Sequence, residues 1–149
     1  MATLTRKRLD PAVFELPVEK MRAGWYTDAY FNHTRDALEQ IDAHPNVTMQ
    51  VFCKKHAYLG GMDEAIAILK LCSDDWDALT VHALYDGDRI EPYEPVMHVE
   101  GDYTAFARLE TPMLGTLGRR TRQCARGRGL PRRARCAPST RAVRSRLSA

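Results

Sequence analysis

The cysteines and histidines are the residues of this sequence whose types most readily suggest chemistry. The four cysteines, at positions 53, 72, 124 and 136, form no C-x-x-C pair and no zinc-ligand spacing. Their pattern favours free thiols over a disulfide framework. The five histidines form no H-E-x-x-H or similar cluster, and the sequence has no G-x-G-x-x-G, no G-x-x-x-x-G-K-[ST] and no G-x-S-x-G. Common zinc, nucleotide-loop and serine-hydrolase motifs are therefore absent from the sequence.

Two short polar segments remain as candidates. Asp86-Gly87-Asp88 lacks the rest of a calcium-binding loop, so it predicts a turn, in which glycine accepts a positive φ. Lys54 and Lys55 follow an alternating apolar segment and therefore lie at the end of a predicted strand. An ammonium group there can form a charge-assisted hydrogen bond with a phosphate, and the alternative is a solvated strand end.

Hydrophobic periodicity predicts helices and strands without a strict alternation of the two. Apolar spacings of three and four predict helices, whereas alternation predicts strands. The predicted helices cover residues 28–43 and 62–72, and the predicted strands cover residues 47–52, 79–85 and 96–99. A further helical stripe runs from Tyr103 to Leu117. Within it, Pro112 either kinks one helix or takes the first position of a second helix capped by Thr111. The pattern predicts an α+β fold.

The charge changes abruptly near residue 119. Residues 1–118 contain 11 basic and 19 acidic residues, a formal charge of −8, whereas residues 119–149 contain 11 arginines, no lysine and no acidic residue. We therefore predict a loose N-terminal segment at residues 1–12, a folded domain at residues 13–118 and an arginine-rich, non-native or disordered tail at residues 119–149. A folded part of this size has room for one domain.

The sequence contains no recognisable targeting or membrane segment. No apolar run follows the basic Arg6-Lys7-Arg8, as a signal peptide would require, and no stretch approaches the ~20 apolar residues of a membrane span. We therefore expect a cytoplasmic protein without a membrane partner.

Three segments carry a family resemblance. They are residues 14–31, which contain Tyr26-Thr27-Asp28-Ala29-Tyr30, residues 84–101, which contain Asp86-Gly87-Asp88, and residues 109–117. In order and spacing they resemble the N-terminal portion of nicotinate phosphoribosyltransferases, and the second segment resembles the domain that these enzymes share with quinolinate phosphoribosyltransferases. The match spans about residues 14–121.

The resemblance implies an N-terminal α/β sandwich domain, which in the family is followed by an α/β barrel. It implies an enzyme of NAD salvage that joins nicotinate to phosphoribosyl pyrophosphate, coupled to ATP hydrolysis and assisted by Mg²⁺. It also implies a head-to-tail homodimer in which each N-terminal domain completes the site of its partner.

The same resemblance implies three substrate-binding residues. Tyr30 would lay its flat ring against the nicotinate base, although by its residue type alone it reads as a surface or core aromatic. Asp28 would orient the base or a partner arginine, or else be an acidic residue favoured by the helix dipole. Lys54 would reach the phosphates of the partner's substrate.

The sequence departs from the family after Arg119-Arg120-Thr121. The family's catalytic residues lie in the barrel, and none of them can be placed in this sequence, so we expect the chain alone to be inactive. The amino-acid composition of the tail suggests GC-rich codons read out of frame. We interpret the tail as the result of a frameshift near residues 119–124. The alternative is a small binding protein whose arginines contact nucleic-acid phosphates. The tail has no aromatic residues between its arginines, as a nucleic-acid-binding segment often has. The negative charge of residues 1–118 also opposes this alternative.

Overall fold

The computed structural model describes residues 6–127 and 143–144, with side chains for residues 6–124. The helices are α1 (Val18–Arg22), α2 (Ala29–Gln40), α3 (Met62–Cys72), α4 (Tyr103–Phe106) and α5 (Glu110–Gly127). The strands are β1 (Asn46–Phe52), β2 (Ala57–Tyr58), β3 (Thr80–Ala83), β4 (Arg89–Ile90), β5 (Pro95–Asp102) and β6 (Val143–Arg144). Short 3-10 turns occur at Pro11–Phe14 and Ala107–Leu109. The mixture confirms the α+β prediction.

The main sheet has the strand order β3-β5-β1-β6, and all its neighbouring strands are antiparallel. The first residue of β1, Asn46, pairs with Asp102 at the end of β5, and Phe52 pairs with Pro95 at its beginning. Strands β2 and β4 form a separate antiparallel pair. Because β1 alternates buried and exposed side chains, Val47, Met49 and Val51 face the core.

Helix α3 buries seven of its 11 residues. Its bounds coincide with the prediction from the sequence. Gly61 adopts the left-handed conformation at its N-cap, with φ of 87°, and the carboxylate of Asp86 accepts hydrogen bonds from the backbone N–H of Met62 and of Asp63, at 2.7 and 3.4 Å. The predicted Asp86-Gly87-Asp88 turn is therefore used to cap a helix.

Helix α5 continues through residue 119, where the sequence changes character. Thr121 is buried, and its hydroxyl lies 3.2 Å from both the N–H and the carbonyl oxygen of Gly60. The Arg120 guanidinium pairs with the Glu64 carboxylate at 2.8 Å. A side chain at Gly61 would meet that of Arg120 at 2.8 Å, so glycine permits this close approach of α5 to the start of α3. Residues 119–121 thus contact the folded domain.

Other parts of the terminal segments are also described. Arg8 donates hydrogen bonds to Asp63 and to the carbonyl oxygens of Ala83 and Leu84, which ties residues from the predicted loose segment to the domain. Strand β6 pairs with β1 at Thr48 and Met49. The rest of the predicted tail after residue 127 lies outside the described residues.

The cysteines correct one expectation. Cys53 takes part in a disulfide bond, so the prediction of free thiols is wrong for this residue. Cys72 and Cys124 are free, and burial raises the pKa of the Cys72 thiol. Sequence spacing does not indicate which distant cysteines meet in space, which is why it did not reveal the bond at Cys53. Among the residues that the structure describes, no helix is both long and apolar enough to span a membrane.

Candidate functional site

Two of the three predicted site residues lie together at the start of α2. Asp28 is its N-cap, and its carboxylate accepts a hydrogen bond from the N–H of Tyr30 at 3.3 Å. The Tyr30 side chain is 65% exposed and packs edge-on against Phe31, with ring centroids 5.4 Å apart. Asp28 therefore caps α2 from the position before its first turn, and its substrate contact stays a prediction. Tyr30 presents most of its ring to the surroundings, where a flat ligand can reach it.

The start of α2 is attached to the segment that leads into α5. The N–H of Asp28 donates to the hydroxyl of Thr111 at 3.2 Å, and the hydroxyl of Thr27 donates to the carbonyl oxygen of Arg108. Arg108 is itself buried and forms an ion pair with Asp74. Its Nε has no hydrogen-bond partner among the described residues. The contacts connect residues more than 80 positions apart, which no local sequence pattern reveals.

Two ionisable side chains beneath this end of α2 were not predicted as site residues. Glu110 is buried, and its Oε2 has no hydrogen-bond partner in the described part of the chain. Burial raises the pKa of Glu110 to about 7. Burial, with smaller contributions from Glu110 and Tyr30, raises the pKa of Tyr103 to about 12. An acidic residue inside the apolar stripe from Tyr103 to Leu117 was the sequence signal for this buried carboxyl.

Further exposed aromatic residues precede Tyr30 in the sequence. Trp25 is 73% exposed, Tyr26 is also exposed, and the Lys20 ammonium lies 5.5 Å from the Trp25 ring centroid. Apolar rings left in solvent cost free energy that burial against another surface would recover. The segment before α2 therefore offers exposed aromatic rings and a cationic group together.

Lys54, the third predicted site residue, lies elsewhere. It is exposed and follows the end of β1, beside Tyr93, whose N–H donates to the carbonyl oxygen of Cys53 at 2.6 Å. The opposite end of β1 adjoins Tyr103, whose N–H donates to the carbonyl oxygen of Pro45. A strand of this length spans roughly 20 Å, so the structure does not bring Lys54 together with Asp28 and Tyr30.

A described cleft of the domain lies away from the predicted site residues. The described residues contain no group of three or more His, Cys, Asp or Glu side chains that could hold a metal ion. A cleft of about 370 Å³ lies between the start of α3 and the end of α5, and its polar lining includes Glu64, Asp86 and Arg120. These side chains are already engaged with one another or with backbone groups, and the cleft includes none of the three predicted site residues.

Known structures resemble this domain. The crystal structure of nicotinate-nucleotide pyrophosphorylase from Pyrococcus furiosus is 30% identical, with a TM-score of 0.58 over 75% of this chain and 28% of that protein. NadC from Streptococcus pyogenes is 20% identical, with a TM-score of 0.54 over 76% of this chain and 38% of its own. Human nicotinic acid phosphoribosyltransferase is 19% identical, with a TM-score of 0.52 over 62% of this chain and 25% of its own. The latter two similarities show the fold alone.

A comparison with curated proteins finds no match. The chain spans only 25% to 38% of the length of the three solved structures. The family model described as quinolinate phosphoribosyl transferase, N-terminal domain, matches residues 28–121, which begin at the cap of α2 and end at the buried Thr121 of α5. The chain therefore belongs to the quinolinate phosphoribosyltransferase family, of which it carries the N-terminal domain.

Proposed function

We propose that this chain provides the N-terminal domain of a phosphoribosyltransferase of NAD biosynthesis that acts on a pyridine carboxylate. The observation that carries the proposal is the family match over residues 28–121, supported by the relative from Pyrococcus furiosus at 30% identity. The resemblance of residues 14–31, and of Tyr26-Thr27-Asp28-Ala29-Tyr30 in particular, favours nicotinate as the base. Quinolinate is the second candidate, because the matching family model bears its name.

The proposed reaction needs groups that this domain contributes only in part. The lone pair of the pyridine nitrogen forms a bond to ribose C1 of phosphoribosyl pyrophosphate, and the C1–oxygen bond breaks with its electron pair leaving on pyrophosphate. No proton is transferred in this step. The barrier is lowered mainly by positioning the two substrates and by stabilising charge on the leaving group. Tyr30 is suited to positioning a flat base, since its ring is exposed.

The proposed roles of Asp28 and Lys54 involve no direct contact with the pyridine ring. Asp28 fixes the backbone from which Tyr30 projects, and Lys54 offers an exposed ammonium to a phosphate at the other end of β1. Because these residues are about one strand length apart, they would serve one site only if each reached a different part of it, as in the head-to-tail homodimer that we propose. ATP and Mg²⁺ are proposed for the intact enzyme on the family resemblance alone.

We further propose that the chain by itself is inactive, because Tyr30 and Lys54 both lie exposed at the surface. The nucleic-acid alternative receives no support from the family or from the solved relatives. The frameshift interpretation of the tail also stays a prediction. Formation of nicotinate mononucleotide by the purified chain, at a rate above that of a heat-denatured sample, would overturn the proposed inactivity.

The function itself is tested with a chimera. Residues 14–121 replace the corresponding domain of the Pyrococcus furiosus protein, and the parent protein is the control for folding and assay conditions. The chimera receives phosphoribosyl pyrophosphate with nicotinate or with quinolinate, and nicotinate mononucleotide and CO₂ are measured. Because the barrel of the chimera comes from the parent, its base preference is compared with that of the parent: a shift toward product from nicotinate without CO₂ would support nicotinate, whereas product and CO₂ from quinolinate at the parent's ratio would favour the second candidate. A folded chimera that uses neither base while the parent is active would contradict the proposal.

A further inference from the structure

The start of α2 is held by polar contacts rather than by burial. None of the residues of α2 is buried, although Leu38 packs partly against the core. Hydrophobic burial, which positions α3, therefore contributes little to fixing the end of α2 at which Tyr30 lies. Specific hydrogen bonds therefore contribute to fixing the position of that end.

Those hydrogen bonds come from one short segment. Thr111 in the first turn of α5 accepts from the N–H of Asp28 at 3.2 Å, and the carbonyl oxygen of Arg108 accepts from the hydroxyl of Thr27. Asp28 then accepts from the N–H of Tyr30 at 3.3 Å. Two consecutive residues before α2 therefore form hydrogen bonds with the segment Arg108–Thr111. The N-cap hydrogen bond of Asp28 connects them to the backbone of Tyr30.

The segment that provides these contacts is itself rigidly placed. Leu109 and Met113 are fully buried on either side of Thr111, and Arg108 is 4% exposed and paired with Asp74. A hydrogen bond to a fixed partner restricts the donor more than one to a mobile side chain. Thr111 thus connects the packed core to the backbone that carries the exposed Tyr30 ring.

We propose that Thr111 and Thr27 are positioning residues that set the orientation of Tyr30 toward the pyridine base. The inference rests on the proposed function for what Tyr30 contacts, but the positioning itself is a property of this chain without substrate. Neither threonine would contact the substrate. Their effect passes through Asp28 to the backbone of Tyr30.

The test compares Thr111→Val and Thr111→Ser in the full chain. Valine keeps the shape of the side chain but removes the hydroxyl acceptor, whereas serine keeps the hydroxyl. Thr116→Val is the matched control, because it makes the same change at a buried position of the same helix. Amide hydrogen exchange is measured by NMR at Asp28, Tyr30 and Ile68 of α3, together with the ring signals of Tyr30.

We expect Thr111→Val to speed exchange at Asp28 and Tyr30 roughly fivefold, the effect of losing one hydrogen bond, and to leave Ile68 unchanged. The ring signals of Tyr30 should shift in this variant, and Thr111→Ser should restore both measurements. Thr27→Val gives a second, independent variant with the same expected local effect. The inference is overturned if both valine variants match Thr116→Val, or if exchange rises equally at all three amides.

These measurements separate the two proposals. Exchange and ring signals are recorded without substrate, so their outcome does not depend on the reaction catalysed by the intact enzyme. A chimera that uses no pyridine base would refute the proposed function while leaving the positioning contacts in place. Unchanged exchange in the valine variants would refute the positioning role while leaving the function intact.

Discussion

The buried carboxyl of Glu110 should make the stability of this domain depend on pH. Its side chain is 7% exposed, and its Oε2 lacks a hydrogen-bond partner among the described residues. Burial raises the pKa of Glu110 from its ordinary value of 4.5 to about 7. Replacing it by glutamine, which has the same shape and no titrating proton, removes this dependence without opening a cavity.

The direction and size of the effect follow from this pKa. Between pH 4.5 and about 7 the folded chain keeps a proton on Glu110 that the unfolded chain has released, so the free energy of unfolding falls as the pH rises. The stabilisation is fully present below pH 4.5 and is lost above about pH 7. At ~1.4 kcal/mol per pKa unit the loss has a ceiling of about 3 kcal/mol. We expect about half of that, because local relaxation and water penetration on ionisation lower the cost of a buried charge.

Urea unfolding followed by tryptophan fluorescence provides the assay, since the Trp76 side chain packs against the core. The difference in unfolding free energy between Glu110→Gln and the unchanged chain should grow by roughly 1–3 kcal/mol from pH 4.5 to pH 8, in favour of glutamine. Other titrating groups cancel in this difference. Glu100→Gln, at an exposed carboxylate of β5, is the control and should show little change. A Glu110→Gln difference that is constant with pH would refute the reasoning.

Three further substitutions should lower the free energy of unfolding measured in urea at pH 7. Leu109→Ala empties a fully buried site and should cost about 2–5 kcal/mol, and a cost below 1 would contradict the packing described. Thr121→Val removes both hydrogen bonds to Gly60 and should cost about 1–3 kcal/mol, whereas Thr121→Ser should retain most of the stability. Asp102→Ala removes the cap of α4 at Thr104 and should cost about 0.5–2 kcal/mol; a neutral result would show that the cap is not needed.

The sequence predicts the bounds of a helix or strand correctly where local signals determine them. Helix α3 has the predicted bounds because Gly60-Gly61 precedes it, Asp63 and Glu64 occupy its first turn and its apolar residues repeat at helical spacing. Helix α2 ends earlier than predicted, at Gln40, because Asp42 adopts a left-handed conformation with φ of 52°. A periodic apolar pattern does not show such a change of the backbone.

The candidate site depended on contacts that sequence patterns do not contain. The sequence predicted an acidic residue at the start of α2, although Asp28 lies at the N-cap and not in the first turn. The attachment of Asp28 to Thr111 joins distant parts of the chain, and the burial of Glu110 depends on how α5 packs. The separation of Tyr30 from Lys54 likewise follows from the direction in which β1 runs in the sheet.

The contribution of Tyr30 to base binding is the most direct test of the account. In the chimera that carries residues 14–121, the KM for the pyridine base is measured for the unchanged domain, Tyr30→Ala and Tyr30→Phe. We predict that alanine raises the KM about tenfold, the loss expected for ~1.4 kcal/mol of ring contact, and that phenylalanine leaves it nearly unchanged because it keeps the ring. Equal KM values for alanine and the unchanged domain in an active chimera would contradict the account.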